Sequence, residues 1–166
     1  MLVIKTLTEA DWRRWRTLRL RALQDAPSAF GSRYEDWKEA PDERWRQRFQ
    51  DPRILNLIAV LDGTPVGMAG GMAGGMLGER IELISMWVAP EARGAGVADA
   101  LIRAVEAWTA PRASELWLSV MPGNATAIAT YARNGFEHVD ETGDPLPHGP
   151  GHELLMRKLL DRSGRG

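Results

Sequence analysis

A run of small residues between a strand and a helix constrains this chain more than any other feature. The strand ends at Val88, and residues 93–98 then read Arg-Gly-Ala-Gly-Val-Ala and lead into an amphipathic helix. Small side chains leave the backbone N–H groups at the start of a helix unshielded, at the positive end of the helix dipole. Gly94 and Gly96 also permit backbone conformations that a Cβ disfavours. The segment therefore predicts a strand–turn–helix unit that can hold a pyrophosphate, with the charge of Arg93 in reach.

Two common phosphate-binding motifs fit this segment poorly. A P-loop needs Lys followed by Ser or Thr after its second glycine, and here Val97 and Ala98 follow. A dinucleotide fingerprint needs a third glycine, and Asp99 occupies that position. The glycines by themselves are equally consistent with a tight strand–helix turn that binds nothing.

Composition excludes several other classes of protein. With 166 residues we expect a single domain over residues 1–160, followed by a flexible tail at 161–166. The absence of cysteine excludes disulfides, thiolate metal sites and cysteine nucleophiles, and a net charge of −1 offers no broad basic field for nucleic acid. No apolar run reaches the roughly 20 residues of a membrane-spanning helix, and charge arrives too early for a signal peptide. We expect a cytoplasmic protein without membrane contact. We also expect no metal site. The three histidines, His138, His148 and His152, do not have the spacing of a metal-ligand motif.

The periodicity of apolar residues predicts alternating strands and helices. Asp62-Gly63 predicts a tight hairpin between the second and third strands. The third strand contains the sequence MAGGMAGGM over residues 68–76, in which the glycines mark either the close approach of another element or a weak hairpin tip. The predicted strands cover residues 2–7, 54–61, 65–76, 79–88, 114–121, 136–140 and 152–160, and the predicted helices cover residues 8–26, 32–49, 98–108 and 124–134.

Two segments resemble motifs of the GNAT superfamily of N-acetyltransferases. Arg93-x-x-Gly96-x-Ala98 is similar to its R/Q-x-x-G-x-G/A signature, and residues 124–136 resemble its N-x-x-A-x-x-L-Y-x-x-x-G-F segment. Thr130 departs from the second pattern, and Asp99 brings a carboxylate close to the predicted pyrophosphate site. The resemblance implies an α/β fold with a mixed, mostly antiparallel central sheet that is splayed at the cofactor site and flanked by helices on both faces.

The same resemblance implies transfer of an acetyl group from acetyl-CoA to a primary amine of a small molecule or peptide, by direct attack through a tetrahedral intermediate. It places the Val88 N–H at the developing oxyanion and the Tyr131 phenol at the departing thiolate as general acid. A homodimer formed through apolar edges of the last strands is also expected. The residues that it implies for cofactor binding are Met86, Trp87, Val88, Arg93, Gly94, Ala95, Gly96, Val97, Ala98, Asn124 and Tyr131.

Glu82 is the best candidate for a general base. The two-residue period of a strand predicts that Glu82 shares a face with Met86 and Val88, and burial could raise its pKa. An ion-paired strand glutamate is equally compatible with the sequence, and many relatives deprotonate the amine through water alone. The resemblance implies that segments 25–34 and 143–152 shape the acceptor pocket, with Trp37 as a candidate wall. Asp25, Glu35 and Asp36 are available to attract a cationic amine, and solvated helix charges are the simpler interpretation of all three. A non-catalytic acyl-CoA-binding domain of the same fold is the alternative function.

Overall fold

The computed structural model of the chain describes residues 1–75, 78–147 and 149–160. The predicted tail at 161–166, His148 and the end of the glycine-rich segment at Met76 lie outside these residues. The described helices and strands are β1 (Leu2–Thr6), α1 (Trp12–Asp25), α2 (Tyr34–Trp37), α3 (Asp42–Gln50), β2 (Ile54–Leu61), β3 (Thr64–Ala73), β4 (Ile81–Val88), α4 (Val97–Thr109), β5 (Glu115–Val120), α5 (Ala125–Arg133), β6 (Glu137–Pro145) and β7 (His152–Leu159).

The strands form one seven-stranded sheet in the order β1-β2-β3-β4-β5-β7-β6. Neighbouring strands are antiparallel except for β4 and β5, which are parallel. Helices cover both faces, because Gly71 of β3 backs onto Trp108 of α4 whereas Gly70 backs onto Arg48 of α3. The mixed, mostly antiparallel sheet with helices on both faces is therefore confirmed.

The glycines of β3 permit this close packing. A Cβ on Gly71 would lie 2.7 Å from the Trp108 ring, and one on Gly70 would lie 2.8 Å from both the Arg48 guanidinium and the Leu55 carbonyl oxygen. Of the two interpretations of the glycine-rich segment, the close approach of other elements is confirmed. The predicted hairpin at Asp62-Gly63 also forms, with φ values of 48° and 85° that suit a tight two-residue turn.

Helices α1 and α4 are held to the sheet by apolar stripes at helical spacing. Each buried Trp, Leu, Ile or Val contributes roughly 1.5–3 kcal/mol relative to an exposed side chain, before entropic losses. The buried apolar residues are Trp12, Trp15, Leu18, Ala22 and Leu23 in α1 and Val97, Leu101, Ile102 and Val105 in α4.

The parallel strands β4 and β5 pair over only a short stretch. Glu82 lies opposite Trp117 and Leu83 opposite Leu118, and neither strand is paired with the other beyond these positions. The carboxyl end of β4, residues 84–88, therefore diverges from β5. The predicted splay of the sheet is confirmed at this place.

A bulge in β4 accompanies the splay. Ser85 has φ 56°, in the left-handed region that a residue with a Cβ rarely adopts, and the register with β3 shifts by one residue there. Glu82 pairs with Met72 whereas Val88 pairs with Gly67, five positions away along an unbroken part of β3. Glu82 and Val88 consequently lie on opposite faces. The prediction that they share a face is wrong, because the bulge inserts one residue into the two-residue alternation.

The outer edge of the sheet also differs from the sequence expectation. Strand β6 extends to Pro145 because it continues to pair with β7 as far as His152. It is largely exposed and acidic, not apolar, with Glu137, Asp140 and Glu141 all open to solvent. Charged edge strands disfavour edge-to-edge pairing.

Candidate active site

A cavity of about 680 Å³ opens where β4 and β5 diverge. It is bounded by the end of β4, the loop and first turn of α4, and the first turns of α5. Of the eleven predicted cofactor-binding positions, all but Ala95 line this cavity. The ten lining positions are Met86, Trp87, Val88, Arg93, Gly94, Gly96, Val97, Ala98, Asn124 and Tyr131. The fold thus brings two separate sequence motifs together around one space.

The backbone of Val88 points its polar groups into the divergence between the strands. The N–H of the next residue, Ala89, donates to the Val66 carbonyl of β3 at 2.7 Å. Successive N–H groups of an extended strand point to opposite edges, so that the Val88 N–H is directed away from β3 and toward β5. The Val88 carbonyl accepts a hydrogen bond from Arg93 Nε at 3.2 Å on that side, which agrees with this direction.

The start of α4 presents backbone amides to the same cavity. Gly94 and Gly96 have φ values of 83° and 79°, and Gly96 is the residue that caps the helix. The first N–H groups of a helix have no partner within the helix, so those of Val97 and Ala98 are available beside the cavity. A Cβ on either glycine would meet no atom within 4 Å, and the glycines are therefore needed for their backbone conformation and for an open approach.

The charge of Asp99 is compensated inside the protein. Its carboxylate accepts hydrogen bonds from Asn134 Nδ2 at 2.9 Å and from Arg133 at 3.0 Å. These hydrogen bonds lower the pKa of Asp99 below its usual value. The carboxylate that the sequence places next to the anion site is thus turned toward α5 and paired there.

Asn124 and Tyr131 belong to the opposite wall of the cavity. Asn124 caps α5 as predicted, since its side-chain oxygen accepts from the Ala127 N–H at 3.2 Å. Tyr131 is 8% exposed and packs edge-on to Phe136 at 6.0 Å between ring centres. Burial raises the pKa of the Tyr131 phenol, so that it carries its proton throughout the physiological range.

Arg93 is held by an acidic residue from the other half of the chain. The Asp25 carboxylate at the end of α1 accepts from Arg93 at 2.8 Å and from the Trp87 indole N–H at 3.0 Å. Trp87 is 4% exposed, so its side chain is part of the core rather than of an open binding surface. Asp25, expected to attract a cationic amine, instead joins α1 to β4 and to the turn before α4.

Glu82 lies on the sheet face opposite the Val88 side chain and lines neither of the two cavities described here. Burial raises its pKa to about 7, a hydrogen bond with Ser119 opposes that rise, and the nearby charges of Glu153 and Asp144 add to it. Burial, followed by the charge of Asp144, also raises the pKa of Glu153. This environment suits a proton acceptor that works near neutral pH.

A second cavity, of about 1140 Å³, adjoins the first. Residues 23–35 form one side of it, residues 121–124 another, and Leu146 and Pro147 of the late loop a third. The two segments that the sequence assigned to an acceptor pocket therefore meet in one space. Phe30, Arg93 and Asn124 line both cavities. Trp37 does not line this space, because it packs on Trp45 at 4.9 Å between ring centres, under Arg44.

Several lining residues carry no motif that the sequence could reveal. Ala29 and Phe30 of the segment after α1 reach the first cavity, as do Thr126, Thr130 and Arg133 of α5. Thr126, Thr130 and Arg133 are spaced by four and three residues and so share one face of α5, but that face is not the one defined by Asn124 and Tyr131. Ala29 and Phe30 lie in segment 25–34, which the sequence assigned to the acceptor pocket and not to the cofactor site, and they line both cavities.

Two further properties concern the part of the chain that the structure describes. No group of three or more His, Cys, Asp or Glu side chains is placed there to hold a metal ion. None of the helices there combines the length and the apolar character needed to cross a membrane.

Comparison with known proteins assigns this splayed mixed sheet to an acyltransferase class. The model of the acetyltransferase (GNAT) family matches residues 10–136. The chain belongs to the GNAT acetyltransferase family.

Solved structures of the family share this fold at low sequence identity. A GNAT-family acetyltransferase from Streptococcus pneumoniae has 16% identity and a TM-score of 0.77, covering 97% of this chain and 100% of that one. The PaiA N-acetyltransferase of Thermoplasma acidophilum, in complex with coenzyme A, has 19% identity and a TM-score of 0.73, covering 96% and 99%. The spermidine N-acetyltransferase of Vibrio cholerae, in complex with CoA and spermine, has 19% identity and a TM-score of 0.73, covering 96% and 95%. Comparison with curated protein sequences gives no match.

Proposed function

We propose that this protein transfers an acetyl group from acetyl-CoA to a primary amine. The observation that carries the proposal is the Val88 N–H, which points into the divergence of β4 and β5 beside the open amides of α4. An unpaired strand edge can bind an extended amide-containing arm, and a helix N-terminus can bind a diphosphate. Acetyl-CoA contains both groups, an amide-containing pantetheine arm joined directly to a diphosphate. The complexes of two structural neighbours with CoA support the same cofactor here.

The residues of the cavity match the needs of the reaction. Acetyl-CoA supplies an activated thioester carbonyl that a neutral amine can attack. The Val88 N–H donates a hydrogen bond to the oxygen on which negative charge develops. Tyr131 is protonated and lies in the wall of the same cavity, so we assign it the proton that the departing thiolate needs. Met86, Val88 and Asn124 align the pantetheine arm, and residues 93–98 hold the diphosphate.

Glu82 is proposed as the base, acting through water. Its carboxylate lies on the sheet face away from the first cavity, so that a direct contact with an amine in that cavity is not assumed. Its pKa of about 7 lets it accept a proton at neutral pH and pass it to solvent. A homodimer and a cytoplasmic location stay predictions, and light scattering measures the first of them.

Titration with CoA tests the proposed cofactor site. Gly96→Val places a β-branched side chain at φ 79° in the open cradle, and we expect CoA affinity to fall at least about 100-fold, because several amide contacts are lost together. Gly63→Val is the matched control, since Gly63 also has a positive φ of 85° and open space but lies in the β2–β3 hairpin. Calorimetry of the wild type and both variants gives the comparison.

Two outcomes would contradict the proposal. Equal loss of affinity in Gly63→Val and Gly96→Val would mean that the effect comes from backbone strain and not from the cradle. Tight CoA binding without acetyl transfer to any amine would favour the alternative, a non-catalytic acyl-CoA-binding domain.

A further inference from the structure

Two partly buried arginines lie on the face of the sheet that carries Glu82, and neither has a carboxylate partner in the part of the chain that the structure describes. Arg48 of α3 extends across Gly70, which pairs with Ile84 of β4, two residues from Glu82. Arg19 of α1 is its neighbour, close enough that its charge lowers the pKa of Arg48. None of the ion pairs among residues 1–75, 78–147 and 149–160 includes either side chain.

The contacts that these guanidinium groups do make are with neutral groups. Arg48 donates to the Asn56 side-chain oxygen and to the Ser85 hydroxyl, and it lies over the Trp15 ring at 4.3 Å. Arg19 lies over the Phe30 ring at 4.5 Å, and its Nη1 is buried with no hydrogen-bond partner in the described part of the chain. Two like charges are therefore held close together, and no carboxylate of the described residues pairs with them.

Such an arrangement is costly for the protein alone. Removing a charge from water costs several kcal/mol unless an opposite charge compensates it. Burial lowers the pKa of Arg19 to about 10, and burial together with the charge of Arg19 lowers that of Arg48 to about 9, so both remain cationic at neutral pH. An anion that arrived between them would remove this cost, and guanidinium groups match oxyanions with paired N–H donors.

Arg19 and Arg48 line neither cavity themselves, but residues in contact with them or next to those contacts do. Phe30, under Arg19, lines both cavities. Ser85, bonded to Arg48, is the bulge residue immediately before Met86, which lines the first cavity. An amine that approaches the splay of β4 and β5 from this face would have its far end near the two arginines and its near end on the side of Glu82.

We infer that the acceptor is a small amine that also carries an oxyanion, and that Arg19 and Arg48 bind this oxyanion. The inference rests on the proposed acetyl transfer and narrows its acceptor class. A carboxylate and a phosphate are the two sources of the oxyanion that the test compares. Polyamines, which carry only positive charge, are disfavoured by the same pair.

The test uses matched amines that differ in the oxyanion. Binding to the CoA-saturated protein is measured by calorimetry, and kcat/KM with acetyl-CoA is measured per unit of unprotonated amine. The pairs are β-alanine with β-alaninamide, glycine with glycinamide, and phosphoethanolamine with ethanolamine, with spermidine as the cationic amine. We expect the oxyanion-bearing member to bind and react at least about tenfold better in one pair, which identifies carboxylate or phosphate as the source.

Variants assign the preference to the two arginines. Arg19→Met and Arg48→Met should abolish the preference for the oxyanion, so that the two members of each pair bind and react alike, and Arg48→Lys should restore part of the preference. Arg13→Met and Arg46→Met are the controls on the same helices, because these arginines also lie over a tryptophan ring, that of Trp12. Circular dichroism verifies that each variant folds.

The outcomes separate the inference from the function on which it rests. If CoA binds and the neutral member equals or exceeds its partner in every pair, the oxyanion inference is overturned while acetyl transfer stands. Equal losses for both members of a pair in the Met variants would show a purely structural role for the arginines, and would overturn it too. Failure to bind CoA at all would overturn the proposed function itself.

Discussion

The chemistry of Glu82 is set by its surroundings and not by its position in a motif. The carboxyl is partly withdrawn from water, and two further acids lie close to it, so that the neutral form is favoured. Because its pKa is about 7, the protonated and ionised forms of Glu82 are present in similar amounts near physiological pH. Only the ionised form can accept a proton.

Glu82→Gln should therefore change both the rate of acetyl transfer and its pH dependence. In the wild type, kcat should rise with pH through about 7 and then level, because Glu82 ionises there. In the variant, kcat should no longer rise with pH in this interval. At pH 8 its kcat should be about 100-fold lower than that of the wild type, which is the lower end of the rate contribution of a general base. Rates at saturating acceptor from pH 5.5 to 9 make the comparison, with the exposed Glu79→Gln as control.

Thermal unfolding of the same variant gives an independent check of the raised pKa. In the folded state Glu82 keeps a proton that the unfolded chain releases above about 4.5, so wild-type stability should fall as pH rises from 4.5 to 7. The fall is on the order of 3 kcal/mol, and it should be absent in Glu82→Gln. Unchanged kcat in this variant, together with a large loss in Tyr131→Phe, would remove Glu82 from the mechanism.

At the scale of the elements, strand β3 and helix α4 pack closely against each other because Gly71 has no side chain. Gly71 lets the Trp108 ring lie against the strand backbone, and this contact fixes the helix whose first turn forms the cradle. Packed interiors tolerate an extra methyl group poorly when its neighbours are a rigid ring and a strand.

Gly71→Ala should accordingly destabilise the protein by about 1–3 kcal/mol, since its Cβ would meet Trp108 at 2.7 Å. Chemical denaturation measures the free energy of unfolding. Gly31→Ala is the control, because a Cβ there meets nothing within 4 Å and φ is not positive, so its stability should not decrease. Equal stabilities of the two variants would mean that α4 moves freely relative to β3.

At the scale of the whole molecule, the cavity joins segments that are far apart in the sequence. Ala26, Ala29 and Phe30 face the same space as the cradle of α4, about seventy residues later. The ion pair between Asp25 and Arg93 connects the same two regions at 2.8 Å. A ligand held between them should stabilise both.

Amide hydrogen exchange should show this coupling when CoA is added. We expect slower exchange in residues 26–31 as well as in residues 94–99, because both segments line the cavity. The hairpin turn at 62–63, which does not line the cavity, should exchange at an unchanged rate. Protection confined to residues 94–99 would indicate that CoA contacts only the helix terminus.

The sequence by itself determined the family, the order of strands and helices and the cradle, because these depend on local patterns. Apolar periodicity, two glycines before a helix and an Asn cap act over a few residues, and each was recognisable in the chain. The mostly antiparallel sheet came from the resemblance, since strand pairing joins residues distant in sequence.

Tertiary structure alone decided which faces and charges meet. The bulge at Ser85 reverses the alternation of β4, and no periodicity of the sequence shows it; it is visible only in the register with β3 and in the hydrogen bond that Ser85 accepts from Arg48. The pairing of Asp25 with Arg93, the compensation of Asp99 and the uncompensated pair of Arg19 and Arg48 all arise between residues brought together by folding. Electrostatic energies depend on distance and burial in space, and these are fixed only when the chain is packed.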